Sequence, residues 1–261
     1  MDPFVALMRR YVNDYTNRHD TSVCPELMEP DYTLRMGPHV VGGRDERYVP
    51  AAQKQFTQFP GLCLTVHEII CNGDRLAMRF SEHGASVRHG GAIASWQGIG
   101  LYRWNGTKLV ENLVEQDYQA RRRQLADGVP DPVAAPALAP WDTQAVPADP
   151  TAEQVVRDWI ADGAPAGAVR VDDGDTGVLQ LEPSDVVDDL FSAGQAVAFR
   201  ITRDGRYAGG LDGVDPALVG APSTLHLVGI VHVAGGRVAG GQIIRDRLGM
   251  ARSLQPVEVK A

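Results

Sequence analysis

The chain has 261 residues, 44% of them hydrophobic and 22% charged, and a formal net charge of −8. That length holds one large or two ordinary domains with a real core. The acidic balance excludes a chain built as a whole for nucleic acid or anionic membrane, and no run of about 18 apolar residues offers a transmembrane helix.

The first residues, MDPFVALMRRYV, place an acid at position 2 and arginines inside the apolar stretch, which does not suit a signal peptide. Cys24, Cys63 and Cys71 form an odd set without CxxC spacing, so free thiols in a reducing, cytoplasmic setting are expected. A helix is predicted over 3–18, where Phe4, Leu7, Met8, Tyr11, Val12 and Tyr15 recur at helical spacing. CPELMEPDYTLRMG follows, then a helical stretch, ERYVPAAQKQFTQF, with Pro50 near its start. Strands are predicted at 64–71, 75–83, 94–104 and 108–116, with hairpin turns at Asn72-Gly73-Asp74 and Asn105-Gly106. Arg121-Arg122-Arg123 reads as a solvated helical face.

Between 128 and 150, six of 23 residues are proline and apolar periodicity disappears, marking a linker that Trp141 pins to one domain. A second helix is predicted over 151–162, with Thr151 and Gln154 fitting a capping box. Strands follow at 178–182, 185–191, 195–203, 224–233 and 237–245.

The two halves repeat one another. The segment starting at Ile99 aligns without gaps on the one starting at Val228, so Gly100 meets Gly229, Gly106 meets Gly235 and Asp117 meets Asp246. Upstream, Gly73 meets Gly194 and Arg79 meets Arg200 at an offset shorter by eight residues. The loop 209–222 accounts for the difference. Copy two also has far fewer residues between its first helix and its strands, too few for two helices and a strand. The expected architecture is therefore a complete domain at 1–127 with the ligand pocket, a linker at 128–150, and a shortened scaffold domain at 151–261.

PDYTLRMG, NGDRLAMRFSEHG and YRWNGTKLVENLVEQD together resemble the SnoaL-like branch of the nuclear transport factor 2 superfamily, over nearly all of 3–126 and less fully over 151–162 and 185–255. The resemblance implies an α+β fold: two tandem cone-shaped barrel domains, each a curved antiparallel sheet wrapped on helices, paired sheet to sheet as an intramolecular pseudo-dimer. A higher oligomer stays open. It also implies a pocket for a small hydrophobic molecule. The sequence carries no phosphate-binding Gly loop or dinucleotide fingerprint, so no cofactor is expected. The reactions of such domains include cyclase, isomerase, dehydratase, other lyase and epoxide-opening chemistry. Some are binding modules only, so the fold does not choose among them.

Acid–base work in an apolar cone needs wall groups with shifted pKa. The candidates are Asp117 and Glu115 at the end of the last strand, and Asp31, Tyr32 and His39 near the first. Tyr15, Arg35, Trp96 and Asn112 are candidate substrate contacts. Each has a structural alternative: Asp117 as the cap of the following helix, Glu115 in a salt bridge, Asp31 in a turn, Trp96 as core. If the other face of the last strand is the inner one, Asn112 and Gln116 would give the pocket amides in place of acids. His67, Glu82, His83 and His89 lack metal-ligand spacing, so no metal is expected. The function read from these residues is a cofactor-independent acid–base enzyme acting on a polyketide- or terpenoid-like molecule; the alternative is a non-catalytic small-molecule binding or scaffold protein.

Overall fold

The computed structural model describes residues 1–165, 167–172, 177–181 and 185–254. Helix α1 (Pro3–Arg10) starts at Asp2, whose carboxylate accepts hydrogen bonds from Phe4 N (2.9 Å) and Val5 N (3.2 Å). It continues through a wider turn at Tyr11–Thr16, and its apolar stripe is buried. The short α2 (Cys24–Leu27) leads into strands β1 (Met28–Met36) and β2 (His39–Gly42). After helical residues Arg44–Tyr48 comes α3 (Val49–Gln58), then β3 (Cys63–Cys71), β4 (Arg75–Ser86), β5 (Ala92–Trp104), β6 (Leu109–Gln116) and α4 (Tyr118–Asp127). The strands form one sheet in the order β2-β1-β6-β5-β4-β3, with only the β1–β6 pair parallel.

The second unit begins with α5 (Pro150–Ala161), followed by β7 (Val169–Val171), β8 (Leu179–Leu181), β9 (Val186–Ala193), β10 (Ala196–Tyr207), β11 (Pro222–Ala234), β12 (Arg237–Arg245) and α6 (Arg247–Leu254). Its sheet runs β7-β12-β11-β10, and both β8 and β9 pair with β10. Glu182, at the end of the strand expected over 178–182, lies outside the described residues. The cap of α5 is Asp149, which accepts from Thr151 N and Ala152 N, and not the expected Thr151; Gln154 instead reaches Asp158.

The strand registers match the repeat. Met78 pairs with Gly100 and Gly100 with Val114; at the equivalent places Phe199 pairs with Gly229 and Gly229 with Ile243. Three-residue β7 runs parallel to β12 as β1 does to β6, so the shortened copy keeps a stub of its first strand. Inside the second cone, Phe199 lies over Gly229, where a Cβ would meet the ring at 2.4 Å, and Val156, Ile160 and Trp159 pack around it. A recess of about 230 Å³ nevertheless remains in the second unit, lined in part by Arg203, Ile243 and Arg245, the repeat counterparts of Glu82, Val114 and Gln116 in the first.

The two sheets pack face to face. Ile70, Ala77, Ile99, Leu101 and Leu113 of the first meet Phe191, Ala198, Val228, Ile230 and Ile244 of the second in one apolar cluster. Strands β5 and β6 are thus covered on both faces, which suits their nearly unbroken burial. Ion pairs cross the rim of the seam: Arg75 and Arg103 to Asp189, Arg200 to Glu115, Arg247 to Asp117, and His232 to Glu68. The chain from 128 to 150 lies along β3, with Ala137 N donating to Val66 O and Val146 N to Cys71 O (both 2.9 Å). Trp141 packs on the first unit's core, as expected of it. Among the described residues, no helix is long and apolar enough to cross a membrane.

Candidate functional site

The first cone encloses a cavity of about 160 Å³. Its walls are the first helix (Tyr11, Tyr15), α3 (Ala52, Gln55, Phe56) and the inner face of β4, β5 and β6. Side chains alternate across a strand, so Phe80 and Glu82 on β4, and Asn112, Val114 and Gln116 on β6, point inward. Two glycines on β5 make the inner face smooth. A Cβ on Gly98 would lie 2.6 Å from Phe80 Cζ, and one on Gly100 would lie 2.8 Å from Tyr102 Oη and 2.9 Å from Asn112 Oδ1. Glycine lets these rings and amides lie against the backbone.

Glu82 is the carboxylate of this wall. It is 7% exposed, and Gln55 Nε2 donates to its Oε2 at 2.7 Å. Burial pushes its pKa up to about 7, against the pull of Gln55, Arg121 and Trp96 toward the charged form. Phenols fill the opposite wall. Tyr15 Oη donates to Tyr48 Oη at 3.1 Å, and Tyr11 Oη stands at the same distance from Tyr48. Tyr102 and Tyr32 both face the Asn112 carboxamide. Burial raises all these phenols well above their ordinary pKa, so they stay protonated and act as donors.

Of the residues singled out in the sequence, Tyr15 and Asn112 line the cavity. Tyr32 is fully buried behind it, its ring edge-on to Tyr48 with centroids 4.9 Å apart. Trp96 is also buried behind the wall, and its Nε1 donates to Gln116 Oε1 at 2.7 Å, orienting that amide.

The others lie elsewhere, and for Asp117 and Glu115 the reason is strand parity. Odd-numbered residues at the end of β6 face the seam between units. Glu115 has no exposure; it accepts from Gly37 N at 3.0 Å and from Arg200 Nη2 at 3.2 Å. Burial and the nearby Asp246 raise its pKa to about 8. Asp117 caps α4 through Ala120 N and pairs with Arg247. Asp31 is exposed on the outer side of β1. Arg35 is exposed and paired with Glu111 at 2.8 Å. His39 is exposed at the start of β2, in a neighbouring recess.

Sequence reasoning missed the cavity roles of Glu82, Gln55, Tyr48 and Tyr102. One signal was available for Glu82: Leu76, Met78, Phe80 and Glu82 fall on one face of β4, so a carboxylate continues an apolar stripe. Arg121 also departs from its expected solvated role. It is half-buried, with its guanidinium over the rings of Tyr118 (4.0 Å), Trp96 (5.0 Å) and Phe59 (5.7 Å).

Residues 6–125 match the family model described as SnoaL-like polyketide cyclase. A search of curated proteins returns no match. Among solved structures, the chain is similar to a candidate SnoaL-like polyketide cyclase from Jannaschia sp. CCS1, at 18% identity over 47% of this chain and 90% of that one, with a TM-score of 0.44. It is also similar to IdmH, a candidate polyketide cyclase from Streptomyces antibioticus (20% identity, 48% of this chain and 99% of that one, TM-score 0.43). A third is AclR, a candidate hydroxylase from Streptomyces galilaeus (24%, 48% and 85%, TM-score 0.42).

Proposed function

We propose that this cavity, in the segment 6–125 that matches the SnoaL-like family model, performs acid–base chemistry of the cyclase type on a small hydrophobic molecule, with Glu82 carrying the proton. The observation that carries this reading is a buried carboxyl with a pKa of about 7 in a cavity otherwise walled by apolar groups, amides and phenols. A group that titrates near the working pH is present in both forms and exchanges a proton most effectively.

In the step envisaged, Glu82 takes a proton from a carbon next to a substrate carbonyl. The electron pair of that C–H bond moves onto the carbonyl oxygen, and the resulting enolate accepts hydrogen bonds from Tyr102 and the Asn112 amide. The enolate carbon then bonds to a second carbonyl carbon of the same molecule, whose oxygen takes the proton back from Glu82. Gln55 holds Glu82 Oε2, leaving Oε1 for the substrate. The closed volume resembles that of cavities that hold a single aromatic ring, and larger ligands require α3 to swing outward. No side chain of α3 is fully buried, which makes it the wall most easily displaced.

The test is Glu82→Gln, assayed on the compound identified by mass spectrometry of ligand carried through purification. Proton transfer predicts a loss on the order of 10²-fold or more in kcat with ligand binding kept. Near-full turnover in that variant would leave the cavity a binding site without this chemistry.

A further inference from the structure

The cavity does not end at its own walls. Met36, Gln55 and Tyr118 line both it and an outer recess of about 290 Å³. The outer recess is built by both units: Lys54 of α3, Arg88 of the β4–β5 turn and Arg121 of α4 from the first, and Asp246 with Arg252 of α6 from the second. Four cations against one carboxylate is a reversal in a chain of net charge −8. The carboxylate is itself engaged, since Asp246 Oδ1 accepts from Gly249 N at 2.8 Å.

Arg121 is the key group. Its guanidinium lies over the rings of Tyr118, Trp96 and Phe59, and Tyr118 is a wall of both spaces. Among the described residues, the side chains of Lys54, Arg88, Arg121 and Arg252 form no hydrogen bond or ion pair. A guanidinium presents its N–H donors in a planar fork, which matches an anionic oxygen pair. The cations around it raise the local concentration of anions at the mouth.

We propose that this vestibule binds an anionic group, carboxylate or phosphate, borne by the hydrophobic molecule whose body enters the cavity, and that the second unit's α6 contributes to that selection through Arg252. The proposal rests on the cavity being the ligand site. It gives the shortened second unit a part in specificity.

The experiment is calorimetric titration of the full chain with phenylbutyrate, phenylbutyl phosphate and neutral phenylbutanol. Both anions are expected to bind at least about tenfold more tightly than the alcohol, as charge-assisted hydrogen bonds allow, with the advantage shrinking at high salt. The tighter of the two anions tells a carboxylate-bearing from a phosphorylated ligand. Arg121→Gln should remove most of the advantage. Arg252→Gln and Arg88→Gln, at exposed positions where folding is not at stake, should each cut it several-fold and leave alcohol binding unchanged. Equal binding of anions and alcohol, or an advantage untouched by all three variants, would overturn the vestibule and leave the role of Glu82 standing. Binding of none of the three probes would overturn the vestibule together with the cavity as ligand site. Full turnover in Glu82→Gln alongside intact anion preference would remove only the acid–base reading.

Discussion

Arg247 holds both carboxylate oxygens of Asp117, each at 2.7 Å, across the seam between the two units. Both side chains are more than nine-tenths buried, and Asp117 also caps α4 through Ala120 N. Asparagine can still cap that helix but cannot neutralise the buried guanidinium, whose Nε also stands 3.3 Å from Asp172 Oδ2. Asp117→Asn is therefore expected to lower stability by ~3–5 kcal/mol. Urea denaturation measures it, and turnover per folded molecule should stay near that of the parent.

Glu82 has the opposite profile. Its charged form is disfavoured by burial, so Glu82→Gln should leave stability near neutral pH unchanged or raised while removing turnover. The linkage has a definite sign. The folded-state pKa of about 7 lies above the ordinary 4.5, so the folded chain binds the extra proton. This contribution to stability is complete below the ordinary value and is lost as pH rises to about 7. The Gln variant should show a flatter fall across that interval.

Glu115 extends the same effect to higher pH. With a folded pKa of about 8, its contribution is full below 4.5 and declines until pH passes that point. Glu115→Gln retains an acceptor for Gly37 N and leaves Arg200 with Asp188 and the Gly37 carbonyl. Denaturation midpoints of the variant and parent should therefore converge at acidic pH, with the variant gaining steadily from about pH 4.5 to about 8 and no further above it. A parent curve flat over that range would contradict the assignment.

Gly98 keeps the cavity open. A methyl group there would press on Phe80 and, at 3.0 Å, on Gln116 Cγ. Gly98→Ala is expected to cost about 1–3 kcal/mol and to weaken ligand uptake by pushing Phe80 into the hollow. Melting and titration of the same sample would separate the two effects.

The seam can be uncovered directly. A chain ended after residue 148 retains the linker but exposes Ile99, Leu101 and Leu113, which are buried against the second unit in the whole protein. A contiguous apolar sheet face in water self-associates, so sedimentation should show dimers or larger species. A clean monomer would mean that the face does not require a cover.

The sequence by itself determined the elements and their duplication. Helical spacing carried α1, and strand alternation with Asn-Gly turns carried β3 to β6. Constant offsets paired Gly100 with Gly229 in the places where the strand registers have them. These are local or self-referential signals, and each residue needs only its near neighbours or its repeat partner to be read. Only the tertiary structure decided which face of β6 looks inward. On a half-exposed strand the polar face marks solvent, but β6 is covered by helices on one side and by the second unit on the other, so alternation loses its meaning. Asn112 and Glu115 sit three residues apart, and the packing of the second unit sends the amide into the cavity and the acid into the seam. Arg121 was undecidable for the same reason. A helical arginine run reads as solvated until Phe59 and Trp96, from distant parts of the chain, close with Tyr118 around one of its members and hold the charge in the recess beside the cavity.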